Sequence, residues 1–352
     1  EERSNDHLSL SEAALEKARR LQPDSGAVHL ALARHALQIS NNVEEGAIQV
    51  QLARKALPNN AQVEAIAGRA ARRQDRWNEA VLYLERAVSL EPRDVTLRVL
   101  LANTYRYMRR YPEYDRTIES AIALTPSDKL GELPIERSLA RLECCGDLAP
   151  LREAIVQQTA AHQLDDDQSA IYWMMLAVWS HDAEGIARVL SNKHDELGWN
   201  GVAYSDAWFE ALAARIRGDN DAAMKAFTIA RRSTEQRVLA DPSVGLDLSV
   251  LAIIDAALGH RDLAVQEGRQ ACDLYSSKAS NFLLPAIRSN LAVVYAWTGQ
   301  NNLAIAELNT LSDRPAPTNG IVQPTYGDFR LNPLWDPLRN DPRFEALVQR
   351  LA

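Results

Sequence analysis

Seven histidines, three cysteines and a short acidic run are the residues here that metal or nucleophilic chemistry would draw on. His7, His29, His35, His162, His181, His194 and His260 are scattered. None stands three or four residues from another histidine or from a cysteine, so no pair of ligands shares a helix face. Cys144 and Cys145 are adjacent and Cys272 is remote, which is neither a zinc spacing nor a disulfide framework. Adjacent cysteines seldom bridge each other, and all three are expected to be small, buried apolar residues. His162 with Asp165, Asp166 and Asp167 comes nearest to a metal cluster, but calcium loops alternate their ligands around a glycine turn. That run reads as a solvated loop, and neither a metal nor a cofactor is expected. No phosphate-binding glycine loop, HExxH or paired CxxC motif occurs. A hydrolytic triad is assembled in space, and the irregular middle, with Trp173, His181, Asp182 and Trp199, is where a cleft for an enzyme could form.

The elements that must carry these residues are helical. The chain has 352 residues, 46% hydrophobic but only 6% aromatic, with 24% charged, the profile of an alanine- and leucine-rich helical protein. A net charge of −8 argues against general nucleic-acid binding, which needs a basic face to displace counterions. No apolar run approaches the roughly 18–20 residues a membrane helix needs, so direct membrane insertion is not expected. The sequence opens at Glu1 with neither methionine nor a leader, which reads as a piece of a longer protein or a processed product. The compartment, cytoplasmic or periplasmic, is left open; cysteines without partners lean toward a reducing one.

Prolines at 23, 58, 92 and 126 are spaced 35, 34 and 34 residues apart, and that spacing is a repeat length. Asp24, Asn59, Asn60, Asp94 and Asp128 follow them as candidate helix caps. In the repeat Ala61 to Asp94, small residues at Gly68, Ala80 and Ala87 mark where two antiparallel helices cross closely, with Leu84 filling the groove. Val95 to Asp128 matches through Leu101, Ala102, Tyr105, Ile118 and Ala121. Ala27 to Asn60 is a looser copy, with Arg34 at the position where a small residue is expected. Gly146, Gly218, Gly259 and Gly299 then fall in phase at the turn between paired helices, where glycine accepts the left-handed conformation. "IYWMMLAVW" (residues 171–179) lies in a weaker repeat, its Met and Trp side chains expected as core filling.

These repeats resemble the tetratricopeptide repeat. The resemblance implies an all-α fold, a right-handed α-α superhelix of about eight hairpins with a carboxy-terminal cap. Residues 1–26 are expected as a partial repeat continued from upstream, 27–128 as regular repeats and 129–203 as degenerate hairpins. Residues 204–318 form a second regular array, and 319–352 an extended segment with a short helix. The ending needs such a reading because an unpaired last hairpin would leave an apolar side wet. Trp335, Leu331, Leu334 and Leu338 are expected to lie across it as a proline-stiffened run, followed by a helix capped by Asp341 with Phe344, Leu347 and Leu351 inward.

"YGDFRLNPLWDPLRNDPRFEALV" (residues 326–348), "YAWTGQNNLAIAEL" (residues 295–308) and "DLAPLREAI" (residues 147–155) are similar to the carboxy-terminal region of a group of bacterial signalling proteins. There a tetratricopeptide array follows a serine/threonine kinase, an adenylate cyclase or a winged-helix activator. The resemblance also implies that first helices of each hairpin line a concave groove. Those positions here are His35, Gln38, Arg69, Arg72, Arg73, Asn103, Arg106 and Tyr107, a basic strip, and then Trp208, Arg215, Ile253, Ser289, Val293 and Trp297, an apolar stretch. Arginines on a rigid wall bind carboxylates through paired hydrogen bonds, so the expected partner is a protein or peptide with an acidic extended tail. The leading reading is a non-enzymatic protein-binding scaffold, the sensing or docking part of a larger signalling protein. The runner-up is an intramolecular regulatory or oligomerisation domain acting on an upstream kinase, cyclase or DNA-binding effector.

Overall fold

A computed structural model of the chain describes residues 2–40, 42–162, 164, 166–192, 197–199, 202–242, 244–276, 283–315 and 322–352, with backbone only at 2–9, 11, 199 and 276. Asp165, His194 and the expected boundary at 318 lie outside these. The chain forms two compact units that part within one helix, the first ending at Tyr105 and the second beginning at Arg106.

In the first unit α1 (Glu2–Leu21) precedes the hairpins α2 (Gly26–Gln38) with α3 (Val43–Ala56) and α4 (Ala61–Arg73) with α5 (Trp77–Leu90), and α6 (Val95–Tyr107) follows. Caps set three of these starts. Asn42 Oδ1 accepts from Glu45 N at 3.0 Å, Asn60 Oδ1 from Val63 N at 3.0 Å and Asp94 Oδ1 from Leu97 N at 3.1 Å. Two expected caps do not act. Ser25, not Asp24, precedes α2 and makes no side-chain cap, and Asp128 sits in a 3-10 turn. Gly68 is small because α5 presses on it: a Cβ there would stand 2.6 Å from Leu84 Cγ. Ala33, Leu37, Val50, Ala53, Val63 and Ile66 of α2, α3 and α4 form one buried cluster.

The second unit continues with α7 (Tyr111–Leu124), then pairs α8 (Leu133–Cys145) with α9 (Ala149–Ala160) and α10 (Asp166–Trp179) with α11 (Ala183–Leu190). After a short ribbon come α12 (Asp206–Ile216) with α13 (Asn220–Ala240), α14 (Gly245–Ala257) with α15 (Arg261–Ser276) and α16 (Leu284–Trp297) with α17 (Asn301–Ser312). The four in-phase glycines stand at the turns of these hairpins with φ of +67°, +74°, +84° and +76°. Met174, Met175 and Trp179 are core residues, as expected, while Trp173 is half-buried. The ribbon was not legible from helical periodicity: β1 (Leu197–Trp199) pairs antiparallel with β2 (Val202–Tyr204) and delivers Leu197, Val202 and Tyr204 to the core. The class is all-α, repeated antiparallel hairpins, and among the described residues no helix is long and apolar enough to cross a membrane.

One expectation about sulfur is corrected. Cys144 and Cys145 are joined as a disulfide at the last turn of α8, before the left-handed Gly146, and they are half-buried and exposed rather than buried. Cys272 is half-buried, and burial pushes its thiol up to about 12.

The tail departs most from expectation. It is not extended but folds as α18 (Tyr326–Leu331), a 3-10 segment (Pro333–Leu338) and α19 (Pro342–Leu351). The last helix begins as expected, Asp341 Oδ1 accepting from Arg343 N at 3.0 Å, and it packs on α17 with Phe344 and Leu347 buried. Leu351 is only half-buried. The stretch before it does not lie on the last hairpin alone. It runs from α16, where the Trp297 indole donates to Leu334 O at 2.8 Å, to α8, against which Gly327 packs so closely that a Cβ would collide with Leu142 O. Arg109 ties the approach to this tail by donating to the carbonyls of Leu311, Ser312, Arg314 and Pro324 at 3.0–3.3 Å.

Candidate functional site

Helix α4 displays two kinds of arginine environment. Toward α3 and α5, Glu64 is buried and meets Arg54 Nε at 3.2 Å and Arg86 Nε at 3.4 Å, so those charges are answered. On its other side Arg69, Arg72 and Arg73 follow at i, i+3 and i+4, one stripe of a helix. Arg72 Nη1 donates to Thr104 Oγ1 at 3.2 Å. Arg69 is half-buried and makes no ion pair among the described residues. Its pKa is lowered by burial and then by the charge of Arg34, and that of Arg73 by burial and then by Arg69. Arginine stays charged through such shifts, so what they express is crowded, poorly hydrated positive charge.

Asn103 adds a side-chain oxygen that is buried and accepts no hydrogen bond among the described residues. Gln38 is exposed, and His35, half-buried, faces Glu12 Oε1 at 3.4 Å. Arg34 was not among the expected wall residues. Its signal was its misfit in the repeat: it holds a packing position yet is exposed, reaching Gln62 Oε1 at 2.9 Å.

In the second unit the expected open strip closes. Arg106 is 6% exposed, with Nε 2.9 Å from Glu143 Oε1 and Nη1 2.8 Å from Glu136 Oε2. Burial alone would lower its pKa, but Glu143 and Glu136 outweigh burial and raise it well above the ordinary value. Tyr107 is half-buried. Trp208 is core, not wall: its ring lies 5.7 Å from Tyr204 and 5.9 Å from Phe227, whose ring is 6.1 Å from Trp297. Ile253, Ser289 and Val293 are buried as well. Arg215 keeps an exposed edge with its guanidinium 4.0 Å over the Trp297 ring. The tail covers α16, where the Trp297 indole donates to Leu334 O, while Trp208 is enclosed by Tyr204 and Phe227.

For the enzyme alternative, Trp173 and Asp182 do line a common cleft between α9, α10 and α11. His181 does not join them, its Nε2 lying 2.8 Å from Leu331 O, and the Trp199 side chain is outside the described residues. Asp182 accepts from Gly185 N at 2.8 Å and from Arg188 Nη2 at 3.0 Å, a cap and an ion pair. Among the described residues no group of three His, Cys, Asp or Glu side chains is arranged to hold a metal.

No family model and no curated protein matches the chain. Among solved structures it is similar to a structure of Naa15/Naa10 bound to HypK-THB, at 12% identity and TM-score 0.33 over 86% of this chain and 55% of that one. A tetratricopeptide repeat protein from Parabacteroides merdae aligns at 11% identity and TM-score 0.34 over 92% and 97%. The APC/C hetero-tetramer Cut9-Hcn1 aligns at 13% identity and TM-score 0.41 over 96% and 51%. The chain thus spans about half the length of the first and third. At these scores the likeness carries no argument, and the architecture rests on the hairpins of this chain itself.

Proposed function

We propose that the chain is a non-enzymatic protein-binding scaffold whose docking wall is the arginine face of the first unit, on α2, α4 and α6. One observation carries the reading: Arg69 is half-buried, crowded by Arg34 and Arg73, and has no ion pair among the described residues. A carboxylate arriving at Arg69 would relieve that repulsion and take a bidentate hydrogen bond. The partner is a protein with an acidic, extended segment. The likeness of residues 326–348 to bacterial signalling proteins supports placing this scaffold as the sensing or docking part of such a protein.

The test compares the full chain with its Arg69→Glu, Arg73→Glu variant for retention of a glutamate-rich peptide across a salt series. Binding by the wild type that weakens with salt and is lost in the variant is expected, because exposed charge pairs are screened. Equal binding by both proteins would remove the arginine wall from the interface.

A second reading, an intramolecular or oligomerisation role, is favoured by one feature: α8 and α16 of the second unit are covered by the chain's own tail. Its oligomerisation form requires self-association. A monomer by light scattering at all concentrations would dismiss the oligomerisation form.

A further inference from the structure

Charge in the first unit is sorted by helix. Up to Tyr105, α2, α4 and α6 carry Arg34, Arg69, Arg72, Arg73 and Arg98 against one acid, Glu64. That acid is buried and meets Arg54 and Arg86 on the side of α3 and α5. The other carboxylates of the two hairpins' helices stand on the alternate ones, Glu44 and Glu45 on α3 and Glu79 and Glu85 on α5. A chain of net charge −8 thus keeps three helices of this unit positive.

Within that charge Arg69 stands between Arg34 and Arg73. Helices α2 and α4 are in contact, and Arg34 Nη2 donates to Gln62 Oε1 at 2.9 Å, which holds a side chain of α2 over α4. Gln62, Arg69 and Arg73 follow at i, i+7 and i+11, one face of that helix. Arg34 is exposed and the other two arginines are half-buried, so a ligand can reach them. Burial and then Arg34 lower the pKa of Arg69, burial and then Arg69 that of Arg73, and among the described residues no carboxylate offsets either. The acids flanking this wall act elsewhere: Glu12 of α1 faces His35, and Asp75 Oδ1 accepts from Trp77 Nε1 at 2.7 Å.

Given that docking wall, on which the assignment depends, we propose that its ligand is a phosphorylated serine or threonine in an extended peptide. Its phosphate bridges Arg34 of α2 and Arg69 of α4, with Arg73 adding a third positive charge on the same face. A carboxylate answers one guanidinium and leaves its repulsion with the next in place. A phosphate monoester carries about −1.5 to −2 charges and three acceptor oxygens, enough to pair with two guanidiniums at once. Asn103 holds the place of Arg69 one repeat on, and its side-chain oxygen has no partner among the described residues. It suits a backbone N–H beside the phosphate, which a peptide has and a free anion lacks. A nucleic acid would bring a long polyanion to a chain of net charge −8.

The test passes a pool of peptides with a central phosphoserine among randomised uncharged residues over the immobilised full chain, beside the same pool with glutamate or serine at that position. The phosphoserine pool is expected to bind at least about tenfold more tightly than the glutamate pool, and the serine pool not at all. Arg34→Gln, a change at an exposed side chain, should keep the melting curve and the glutamate affinity while bringing phosphoserine down to that level. Equal affinity for phosphoserine and glutamate, or undiminished phosphoserine binding in Arg34→Gln, would overturn the phosphate assignment and leave the scaffold reading standing. Failure of both pools and of the glutamate-rich peptide would remove the wall itself. Displacement by inorganic phosphate as effective as by the phosphopeptide would overturn the assignment in favour of a free anion, and tighter retention of a single-stranded oligonucleotide in favour of a nucleic acid.

Discussion

The indole N–H of Trp335 donates to Oδ2 of Asp328 at 2.8 Å, and this buried pair organises the tail. Asp328 also accepts from Asn332 Nδ2 at 2.9 Å, from Gln323 N at 3.1 Å and, on Oδ1, from the Trp179 indole of α10 at 3.4 Å. One carboxylate thus joins both ends of the tail's fold to a hairpin far back in the sequence. Phe329, Trp335 and Phe344 close around it, with ring centroids 5.4–6.2 Å apart.

Asp328→Ala removes the acceptor and strands these donors in an interior they cannot leave. The expected cost is about 3 kcal/mol or more, since unsatisfied buried groups carry their full desolvation penalty. Asp328→Asn keeps the shape and part of the acceptor capacity and should cost less. Urea denaturation of both variants checks the order, and equal stability of wild type and Asp328→Ala would show that the hub does not hold the tail.

Two buried acids give stability a pH dependence of one sign. Burial pushes Asp328 up to about 6, against the opposing donors. Burial, then the charge of Asp255, pushes Glu267 up to about 8. Asp255 itself is fully buried, with Arg231 Nε at 2.8 Å and His260 Nδ1 at 2.6 Å, and Glu235 lies on the same side. A raised carboxyl holds its proton in the folded chain after the unfolded chain has lost it. The Glu267 contribution is therefore full below the ordinary glutamate value of 4.5 and declines as pH rises to about 8. Glu267→Gln should flatten that decline in denaturation midpoints measured across the interval. An unchanged slope would exclude Glu267 as its source.

Gly327 admits no side chain, because the carbonyl of Leu142 on α8 occupies the place of a Cβ. Gly327→Val should lift α18 from α8 and lower the thermal midpoint. Removing Phe329 to Ala352 should lower it further and reduce solubility, by exposing Trp297 and the inner face of α16. Calorimetry on the two variants checks this, and a truncated chain melting at the wild-type temperature would refute a structural role for the tail.

Much of the hairpin register was legible in the sequence, because the forces that set it are local. Proline and glycine act on their own dihedral angles, Asn60 and Asp94 cap amides three residues away, and Gly68 meets Leu84 within one repeat. The helical class, the four glycine turns and the Asp341 cap follow from such short-range rules. The fate of the expected groove residues does not. Arg69 and Arg106 stand on the first helices of successive repeats, yet one makes no ion pair among the described residues and the other is sealed between Glu143 and Glu136. Trp208 reads as groove-lining until Tyr204 and Phe227 pack against it, and Trp297 until the tail is folded over α16. The ribbon of Leu197–Trp199 and Val202–Tyr204 was missed for a similar reason, its hydrophobic residues being too few to show a period. The sequence by itself determined where helices start, stop and pair, since those contacts are near in the chain. Only the tertiary structure decided which faces stay open, because burial depends on segments such as Asp328 and Trp179 that meet across 149 residues.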